Sequence, residues 1–258
     1  MKNIIRITAA VLFLIGVHGR GVFAEKAEKM TKSDDYRSGL DIKVVEQIEL
    51  PRGYHEGLYL DSGNIWVCNG EDGDIWVVDP DKKEVVSSIE PVGTFTEAVT
   101  RNGGEYWLSD WNAKKIYRVT LDDNAMTARE EISTAPAHPA GILWADGTLY
   151  VITWTRGMGT RYHLMELTGD KNLKVKTRLR RIHEPAHMAW DGSHLWITSW
   201  YNRYVYKVDI EKKIILGSFK SPAPETTGIA WDGEYFWITG TNADLYKVKL
   251  LKDDRDGS

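Results

Sequence analysis

One residue pattern occurs five times along this chain, and it constrains the fold more than any other feature. In each copy an apolar stretch leads into a turn, and a second stretch with a central aromatic residue follows. The recurring aromatic residues are Trp66, Trp107, Tyr150, Trp196 and Trp237, spaced 41, 43, 46 and 41 residues apart. Short strands repeated with this period are typical of β-propeller blades. The sequence therefore predicts an all-β, five-bladed β-propeller.

Each repeat carries the signals of up to four short strands. A turn such as Asp191-Gly192 or Asp232-Gly233 joins the first two strands, and a glycine there suits a tight hairpin. A third strand follows with the pattern DIWVVD or YVYKVD, and a fourth has the pattern EVVSSI or IILGSF. The fourth-strand pattern is weaker in the second and third repeats.

The fifth repeat ends after its third strand, near Leu250. Residues 43–50, KVVEQIEL, have the pattern of a fourth strand and lie at the other end of the repeat region. We expect this N-terminal strand to complete the last blade, because a closed ring leaves no open sheet edge. The propeller would span residues 41–250, and no stretch of blade length remains for a sixth blade.

The first 24 residues have the features of a secretory signal peptide. Lys2 and Arg6 precede an apolar run at residues 7–17, and the segment ends at Ala24 with an acceptable cleavage site. An uncleaved membrane anchor is the alternative, although the run is about half of the ~20 residues that a membrane-spanning helix needs. We therefore expect a periplasmic or secreted protein with no membrane span after cleavage.

Polar segments flank the propeller region. Residues 25–40 have almost nothing to bury, so we expect a flexible leader in which residues 25–38 are dispensable. Residues 251–258 form a polar C-terminal tail. Removal of the signal peptide takes the formal net charge from −4 to −7, which disfavours a nucleic-acid partner. The lone cysteine, Cys68, leaves no intrachain disulfide, and we expect a monomer.

The propeller topology brings five pairs of positions to one mouth of the ring. In each blade the start of the first strand and the end of the second lie at the same face. The first-strand positions are Glu56, Glu97, Ala140, Ala186 and Thr227, and the second-strand positions are Gly70, Trp111, Trp154, Trp200 and Thr241. We therefore expect three tryptophans of successive blades to line a central pocket. Packing within the core is the alternative for each of them.

Glu56 and Glu97 stand in adjacent blades at this mouth. A carboxyl group among tryptophans loses hydration, which raises its pKa towards the range useful for proton transfer. The alternative is a carboxylate that caps backbone amides at a junction between blades. Two carboxyl groups beside three tryptophans favour a binding or catalytic site for a peptide or another small ligand.

Other reactive residues carry weaker signals. His55, His138 and His187 fall near the same face but lack the spacing of metal ligands, so we expect neither a metal ion nor another cofactor. Cys68 lies within a predicted strand and should be buried and inert. The segment TRGMGTR at residues 155–161 is a glycine-bearing loop whose two arginines could contact an anionic group.

Several motifs resemble those of the plant- and bacterial-type glutaminyl cyclases, which are five-bladed propellers. YHEGL at residues 54–58 resembles the F-T-Q-G-L that opens the family's first blade. FTEA at residues 95–98 is similar to F-G-E-G, and LSDWN at residues 108–112 is similar to an L-T-W-K-like stretch. In the last blade, N-G-I-A, T-G-K and L-Y-E-V have counterparts in TGIA at residues 227–230, TGT at 239–241 and LYKV at 245–248.

The resemblance implies an activity and the residues that perform it. Glu97 corresponds to the catalytic glutamate, which would move protons while an N-terminal glutamine cyclises to pyroglutamate and releases ammonia. Glu56 would contact the substrate. Trp111, Trp154 and Trp200 would form an apolar wall that holds the glutamine side chain ready for attack. The reaction requires no metal ion.

Two other functions stay open at this point. The family's E-G-W-G and N-E-L-E motifs are replaced by HPAG at residues 138–141 and PAHM at residues 185–188, and Thr241 replaces a lysine. A non-catalytic propeller that binds a peptide or a sugar in its aromatic-rimmed pocket would show such replacements. A calcium-dependent lactonase propeller is the third possibility, and five blades argue against it.

Overall fold

The computed structural model describes residues 28–70, 73–169 and 171–251. The expected signal peptide at residues 1–24 and all but the first residue of the expected C-terminal tail lie outside these ranges. Within them the regular structure is entirely β, arranged in five sheets. The described residues contain no helix that is long and apolar enough to cross a membrane.

Each sheet is one blade of the propeller, and hairpins connect its strands in order. Blade 1 contains β3 (His55–Asp61), β4 (Asn64–Asn69), β5 (Ile75–Asp79) and β6 (Glu84–Ile89). Blade 2 contains β7 (Thr96–Asn102), β8 (Glu105–Asp110), β9 (Lys115–Asp122) and β10 (Ala125–Ser133). Blade 3 contains β11 (His138–Ala145), β12 (Thr148–Thr155), β13 (Arg161–Thr168) and β14 (Asn172–Arg178).

The last two blades each include a strand from the N-terminal part of the chain. Blade 4 contains β15 (Pro185–Trp190), β16 (Leu195–Ser199), β17 (Tyr204–Asp209), β18 (Ile214–Lys220) and, outermost, β1 (Thr31–Ser38). Blade 5 contains β19 (Thr226–Trp231), β20 (Phe236–Gly240), β21 (Leu245–Leu250) and, outermost, β2 (Ile42–Ile48).

The ring closes between the last blade and the first. The innermost strands β3, β7, β11, β15 and β19 contact one another in this order, and β19 contacts β3. β2 pairs antiparallel with β21, so that Ile42 lies opposite Leu250 and Ile48 opposite Leu245. The prediction of a five-bladed propeller that an N-terminal strand closes is therefore confirmed.

The recurring aromatic residues are buried and pack between neighbouring blades. Trp66 stacks on Tyr106 of the next blade, with ring centroids 5.2 Å apart. Trp196 packs against Phe236 of the next blade at 4.8 Å. Truncation of a buried aromatic residue to alanine typically costs ~3–5 kcal/mol. The residue that repeats most regularly in the sequence therefore holds adjacent blades together.

The Asp-Gly turns between the first two strands fix two of these aromatic residues. Oδ2 of Asp191 accepts a hydrogen bond from Nε1 of Trp196 at 2.7 Å. Gly192, within the same turn, has a φ of 94°, a left-handed conformation that glycine adopts without strain. The same bond joins Asp232 to Nε1 of Trp237 at 3.0 Å. The turn thus positions the indole as well as reversing the chain.

The expectation of a flexible leader at residues 25–40 is wrong for its described part. Residues 31–38 form β1, which pairs in parallel with β18 at the outer edge of blade 4. Met30 is 1% exposed and belongs to a hydrophobic core cluster, and the Tyr36 and Ser218 hydroxyl groups hydrogen bond at 2.9 Å. The backbone N–H and C=O groups at the edge of β18 need hydrogen-bond partners, and residues 31–38 supply them. The segment is therefore ordered as a strand although most of its side chains are polar.

Candidate functional site

A cavity of about 400 Å³ opens at one end of the propeller axis. All five residues at the predicted first-strand positions line it, namely Glu56, Glu97, Ala140, Ala186 and Thr227. Of the predicted second-strand positions, Trp111, Trp154 and Trp200 line it, and Gly70 and Thr241 are not among its lining residues. The first strands surround the axis and begin at the same face, so one cavity collects residues from all five blades.

The next residue along each first strand forms a layer that closes the cavity from below. This layer contains Gly57, Ala98, Gly141, His187 and Gly228. A Cβ atom on Gly57 would lie 2.7 Å from Cβ of Ala98 and 2.9 Å from Nε2 of His187. A Cβ atom on Gly141 would lie 2.8 Å from Cα of His187. Four small residues therefore let the strands converge, and a single imidazole fills the space between them.

Glu56 and Glu97 place two carboxyl groups on the cavity. Burial, followed by the charge of Glu97, raises the pKa of Glu56 well above its ordinary value. Burial, followed by the charge of Asp110, raises the pKa of Glu97 to about 8. Among the residues that the structure describes, neither carboxyl group has an ion-pair partner. The cavity therefore holds two carboxyl groups whose pKa values are raised above the ordinary value.

Asp110, at the end of β8, is a site residue that the sequence analysis missed. It is buried, and its Oδ2 accepts hydrogen bonds from the backbone N–H groups of Thr94 at 2.6 Å and Phe95 at 3.3 Å. Its Oδ1 accepts a hydrogen bond from the N–H group of Ala113 at 2.8 Å. Asp110 thus holds the loop that leads into β7 and places a negative charge near Glu97.

The aromatic wall is built from residues of adjacent blades that fix one another. Trp154 meets Trp111 edge to face, with ring centroids 5.3 Å apart, and its Nε1 donates to the carbonyl oxygen of Pro185 at 2.7 Å. The His138 ring lies 4.6 Å from the ring of Trp111, and its Nδ1 lies 2.9 Å from the carbonyl oxygen of Trp111. Trp200 is half-buried and packs against the same core cluster as Trp154. The wall is therefore ordered before any ligand arrives.

Three further residues with a charged or aromatic side chain line the rim of the cavity. Arg156 lines the cavity, and its guanidinium group lies 5.3 Å from the ring centroid of Trp111. On the side of blades 1 and 2, Tyr54 and Phe95 line the cavity and meet edge to face at 5.8 Å. Arg156 is one of the two arginines of the glycine-bearing loop at residues 155–161. Tyr54 and Phe95 occur in the motifs YHEGL and FTEA, but the sequence analysis assigned them no role.

None of the three histidines near this face is among the residues that line the cavity. Nδ1 of His55 lies 2.9 Å from the carbonyl oxygen of Ala243, and its Nε2 lies 3.0 Å from that of Pro51. His55 therefore joins the first blade to the last. Nδ1 of His187 lies 3.0 Å from the carbonyl oxygen of Ile229, and burial lowers the pKa of this imidazole to about 4.

The histidine, cysteine and acidic side chains of the described residues are the candidate ligands of a metal ion, and the Cys68 thiol is a candidate nucleophile. Within residues 28–70, 73–169 and 171–251 no three His, Cys, Asp or Glu side chains cluster in a way that could hold a metal ion. The predicted burial of Cys68 is confirmed, because this residue is 0% exposed. Burial raises the pKa of its thiol well above the ordinary value, which makes it a poor nucleophile.

No protein-family model matches this sequence, and no curated protein matches it either. Solved structures nevertheless share the fold. The PQQ-bound aldose sugar dehydrogenase from Streptomyces coelicolor has a TM-score of 0.55 at 10% identity, over 81% of this chain and 98% of that chain. A luciferin-regenerating enzyme has a TM-score of 0.56 at 14% identity, over 84% of this chain and 96% of that chain.

The resemblance seen in the sequence also has a structural counterpart. Glutaminyl cyclase from Myxococcus xanthus has a TM-score of 0.61 at 12% identity, over 87% of this chain and 100% of that chain. At sequence identities of 10–14% a structural similarity shows the fold alone. The cyclase, the dehydrogenase and the luciferin-regenerating enzyme indeed have different names. The chain is thus a five-bladed β-propeller similar in fold to a bacterial glutaminyl cyclase over that protein's whole length.

Proposed function

We propose that this protein is a glutaminyl cyclotransferase, which converts the N-terminal glutamine of a peptide to pyroglutamate and releases ammonia. The observation that carries the proposal is the pair of carboxyl groups, Glu56 and Glu97, which have raised pKa values on an aromatic-lined cavity. The sequence motifs around both residues and the shared fold support the same reaction.

This pair of carboxyl groups suits a basic nitrogen. A protonated carboxyl group donates a hydrogen bond to a neutral amine, and a carboxylate pairs with an ammonium group; the two forms differ only in the position of one proton. The α-amino group of a peptide has an ordinary pKa of about 7.7–8.0, close to the value of about 8 for Glu97. A cavity of about 400 Å³ accepts one terminal residue and leaves the rest of the peptide outside.

The reaction needs one group that accepts a proton and then returns it. The neutral α-amino nitrogen attacks the γ-carboxamide carbon of the same residue and forms a C–N bond. The Glu97 carboxylate takes a proton from the attacking nitrogen and delivers it to the carboxamide nitrogen. The bond between that nitrogen and the carbon breaks, ammonia leaves, and the lactam remains. A pKa near the working pH suits both transfers, which typically contribute 10²–10⁴-fold.

Glu56 has a different task in this scheme. Burial and the nearby charge of Glu97 raise the pKa of Glu56 well above its ordinary value, which favours the protonated form of this carboxyl group. A neutral carboxyl group donates a hydrogen bond, and a donor aimed at the carbonyl oxygen stabilises the negative charge that develops there. In this scheme Glu97 is thus the proton shuttle and Glu56 is the hydrogen-bond donor.

In this scheme the three tryptophans hold the glutamine side chain in a reactive conformation and keep water away from it. Trp111 and Trp154 stand edge to face at 5.3 Å, and Trp200 lines the same cavity. Their rigid faces restrict the glutamine side chain to folded conformers in which the amine approaches the carboxamide. Fixing a reactant in such a conformer lowers the entropic part of the barrier.

The direct test is to incubate the protein with a peptide that begins with glutamine and to follow the loss of ammonia by mass spectrometry. The matched control is the same peptide with an acetylated α-amino group, which cannot attack. We expect conversion of the free peptide only. Binding of the free peptide without any loss of ammonia would contradict the proposal and favour a non-catalytic propeller that binds peptides.

A further inference from the structure

A second cleft, of about 390 Å³, lies beside the central cavity in blade 3. Three arginines line it: Arg161 at the start of β13, Arg178 at the end of β14 and Arg180 just beyond it. The other ionisable residues of the cleft are Tyr162, His183 and Glu184. We call this set of residues, together with Thr160, the arginine cleft.

The arginine cleft has an excess of positive charge. Glu184 is its single carboxylate, and Oε2 of Glu184 lies 3.6 Å from Nδ1 of His183. In the part of the chain that the structure describes, Arg161, Arg178 and Arg180 form no ion pair. The chain as a whole has a formal net charge of −4, so the sign of the charge in the cleft is opposite to that of the chain. Arginines without ion-pair partners attract anionic groups.

One tyrosine separates the arginine cleft from the central cavity. The ring of Tyr162 meets Trp154 of the cavity wall edge to face at 5.0 Å, and on its other side meets His183 of the cleft at 5.9 Å. Arg156, at the rim of the cavity, begins the short loop that leads to Arg161. Arginine side chains therefore stand both at the rim of the cavity and in the cleft, on the two ends of one short loop.

We propose that the arginine cleft binds an acidic segment of the peptide whose N-terminus occupies the central cavity. This inference rests on the proposed function, because that function places a peptide terminus in the cavity. It makes the preferred substrate a peptide in which glutamate or aspartate follows the terminal glutamine at a short distance.

The spacing of the strands determines how many residues separate the terminal glutamine from the acidic residues. The cleft extends over β13 and β14, the two strands outside β12, which carries Trp154. Neighbouring strands lie about 4.8 Å apart, so the cleft is on the order of 10 Å from the cavity wall. An extended peptide advances ~3.3 Å per residue, which places the acidic side chains at about positions three to five.

Side-chain carboxylates fit the cleft better than a single small anion does. Arg161, Arg178 and Arg180 come from two strands and the turn that follows, instead of from one loop that wraps around a point. Each guanidinium group is able to bind one carboxylate through two parallel hydrogen bonds. Separated arginines therefore match separated acidic residues along an extended chain.

The test compares two peptides labelled with a fluorophore at the C-terminus, Gln-Ala-Ala-Glu-Glu-Ala and Gln-Ala-Ala-Gln-Gln-Ala, by fluorescence polarisation. Exposed charge pairs are each worth up to about fivefold in affinity, so wild-type protein should prefer the acidic peptide by roughly 5- to 30-fold at low salt. The double variant Arg161→Gln/Arg180→Gln should lose this preference, since both side chains are exposed and their replacement leaves the core intact.

Arg181→Gln is the matched control, because Arg181 is exposed next to the cleft but is not among its lining residues. This variant should keep the preference. Equal binding of the two peptides by wild-type protein, or an unchanged preference in the double variant, would overturn the inference. Polarisation needs no turnover, so a preference without ammonia release contradicts only the cyclase proposal, and ammonia release with equal binding contradicts only the arginine cleft.

Discussion

Trp196 and Trp200 lie four residues apart near opposite ends of β16 in blade 4, and their side chains have opposite surroundings. Trp196 is 1% exposed and packs between two blades, where Asp191 accepts the hydrogen bond of its indole. Trp200, directly after the end of β16, lines the central cavity. One residue is therefore part of the structural core, and the other borders the cavity in which we propose that a peptide binds.

This difference predicts opposite effects of truncation. Trp196→Ala should destabilise the fold by ~3–5 kcal/mol, as large-to-small changes in a core do. Trp200→Ala should lose much less stability and should weaken binding of a glutamine-initiated peptide. Urea denaturation and fluorescence polarisation measure the two effects separately. An equal loss of stability in both variants would show that Trp200 is a core residue.

The raised pKa of Glu97 predicts how the rate depends on pH. The proton shuttle must begin as a carboxylate, and with a pKa of about 8 the carboxylate fraction falls about tenfold for each pH unit below that value. The α-amino group of the substrate must also be neutral, and it titrates at about 7.7–8.0. Well below pH 7, kcat/KM should therefore rise by nearly a hundredfold per pH unit.

Glu97→Gln is the control for this pH profile. The variant has no carboxyl group to titrate at that position, so its residual kcat/KM should rise by only about tenfold per pH unit, the dependence of the amine alone. If wild type and variant have the same slope, the titration of Glu97 does not limit the reaction.

The N-terminal segment should be required for stability. Met30 is buried in the core cluster, and β1 covers the edge of β18. Met30→Ala should cost about 2–5 kcal/mol in urea denaturation, and deletion of residues 25–38 should cost more because it also uncovers the sheet edge. Lys29→Ala is the matched control, since this neighbouring side chain is exposed. Unchanged stability after the deletion would restore the view of a dispensable leader.

The axis of the propeller should not tolerate a larger residue at Gly57. Its Cβ atom would meet the backbone oxygen of Glu97 at 2.8 Å and Nε2 of His187 at 2.9 Å. Gly57→Ala should destabilise the protein by about 1–3 kcal/mol, as overpacking does. Gly104→Ala is the control, because no atom lies within 4 Å of its Cβ position. Equal stability of the two variants would show that the strands can move apart at the axis.

The fold could be predicted because its main determinant is periodic along the chain. Trp66 and Trp107 occupy equivalent positions 41 residues apart, and a ring of similar blades places such residues between neighbours. The same periodicity aligned Glu56 and Glu97 at the first-strand positions. Because those positions meet at the axis, the sequence also predicted that the five first-strand residues share one cavity, whereas two of the predicted second-strand residues, Gly70 and Thr241, do not line it.

Features that depend on contacts between distant segments could not be predicted in this way. The segment of β1 looks like a polar leader, and it becomes ordered only because β18 presents an edge to it. Asp110 resembles other acidic residues at strand ends, and its effect on Glu97 depends on the path of the preceding loop. Arg161 and Arg178 meet in one cleft because their strands pair, although 17 residues separate them in sequence.

The measurement that tests the central claim most directly is the turnover of a glutamine-initiated peptide by Glu97→Gln, beside Glu84→Gln as a matched control. Glu84 is exposed on β6, the outermost strand of blade 1, and is not among the residues that line the cavity, so its replacement should leave turnover unchanged. Glu97→Gln keeps the shape of the side chain but removes the group that carries the proton. We expect turnover to fall by about 10²–10⁴-fold while peptide binding persists. Turnover within a few-fold of wild type in Glu97→Gln would contradict the assignment of Glu97 as the proton shuttle.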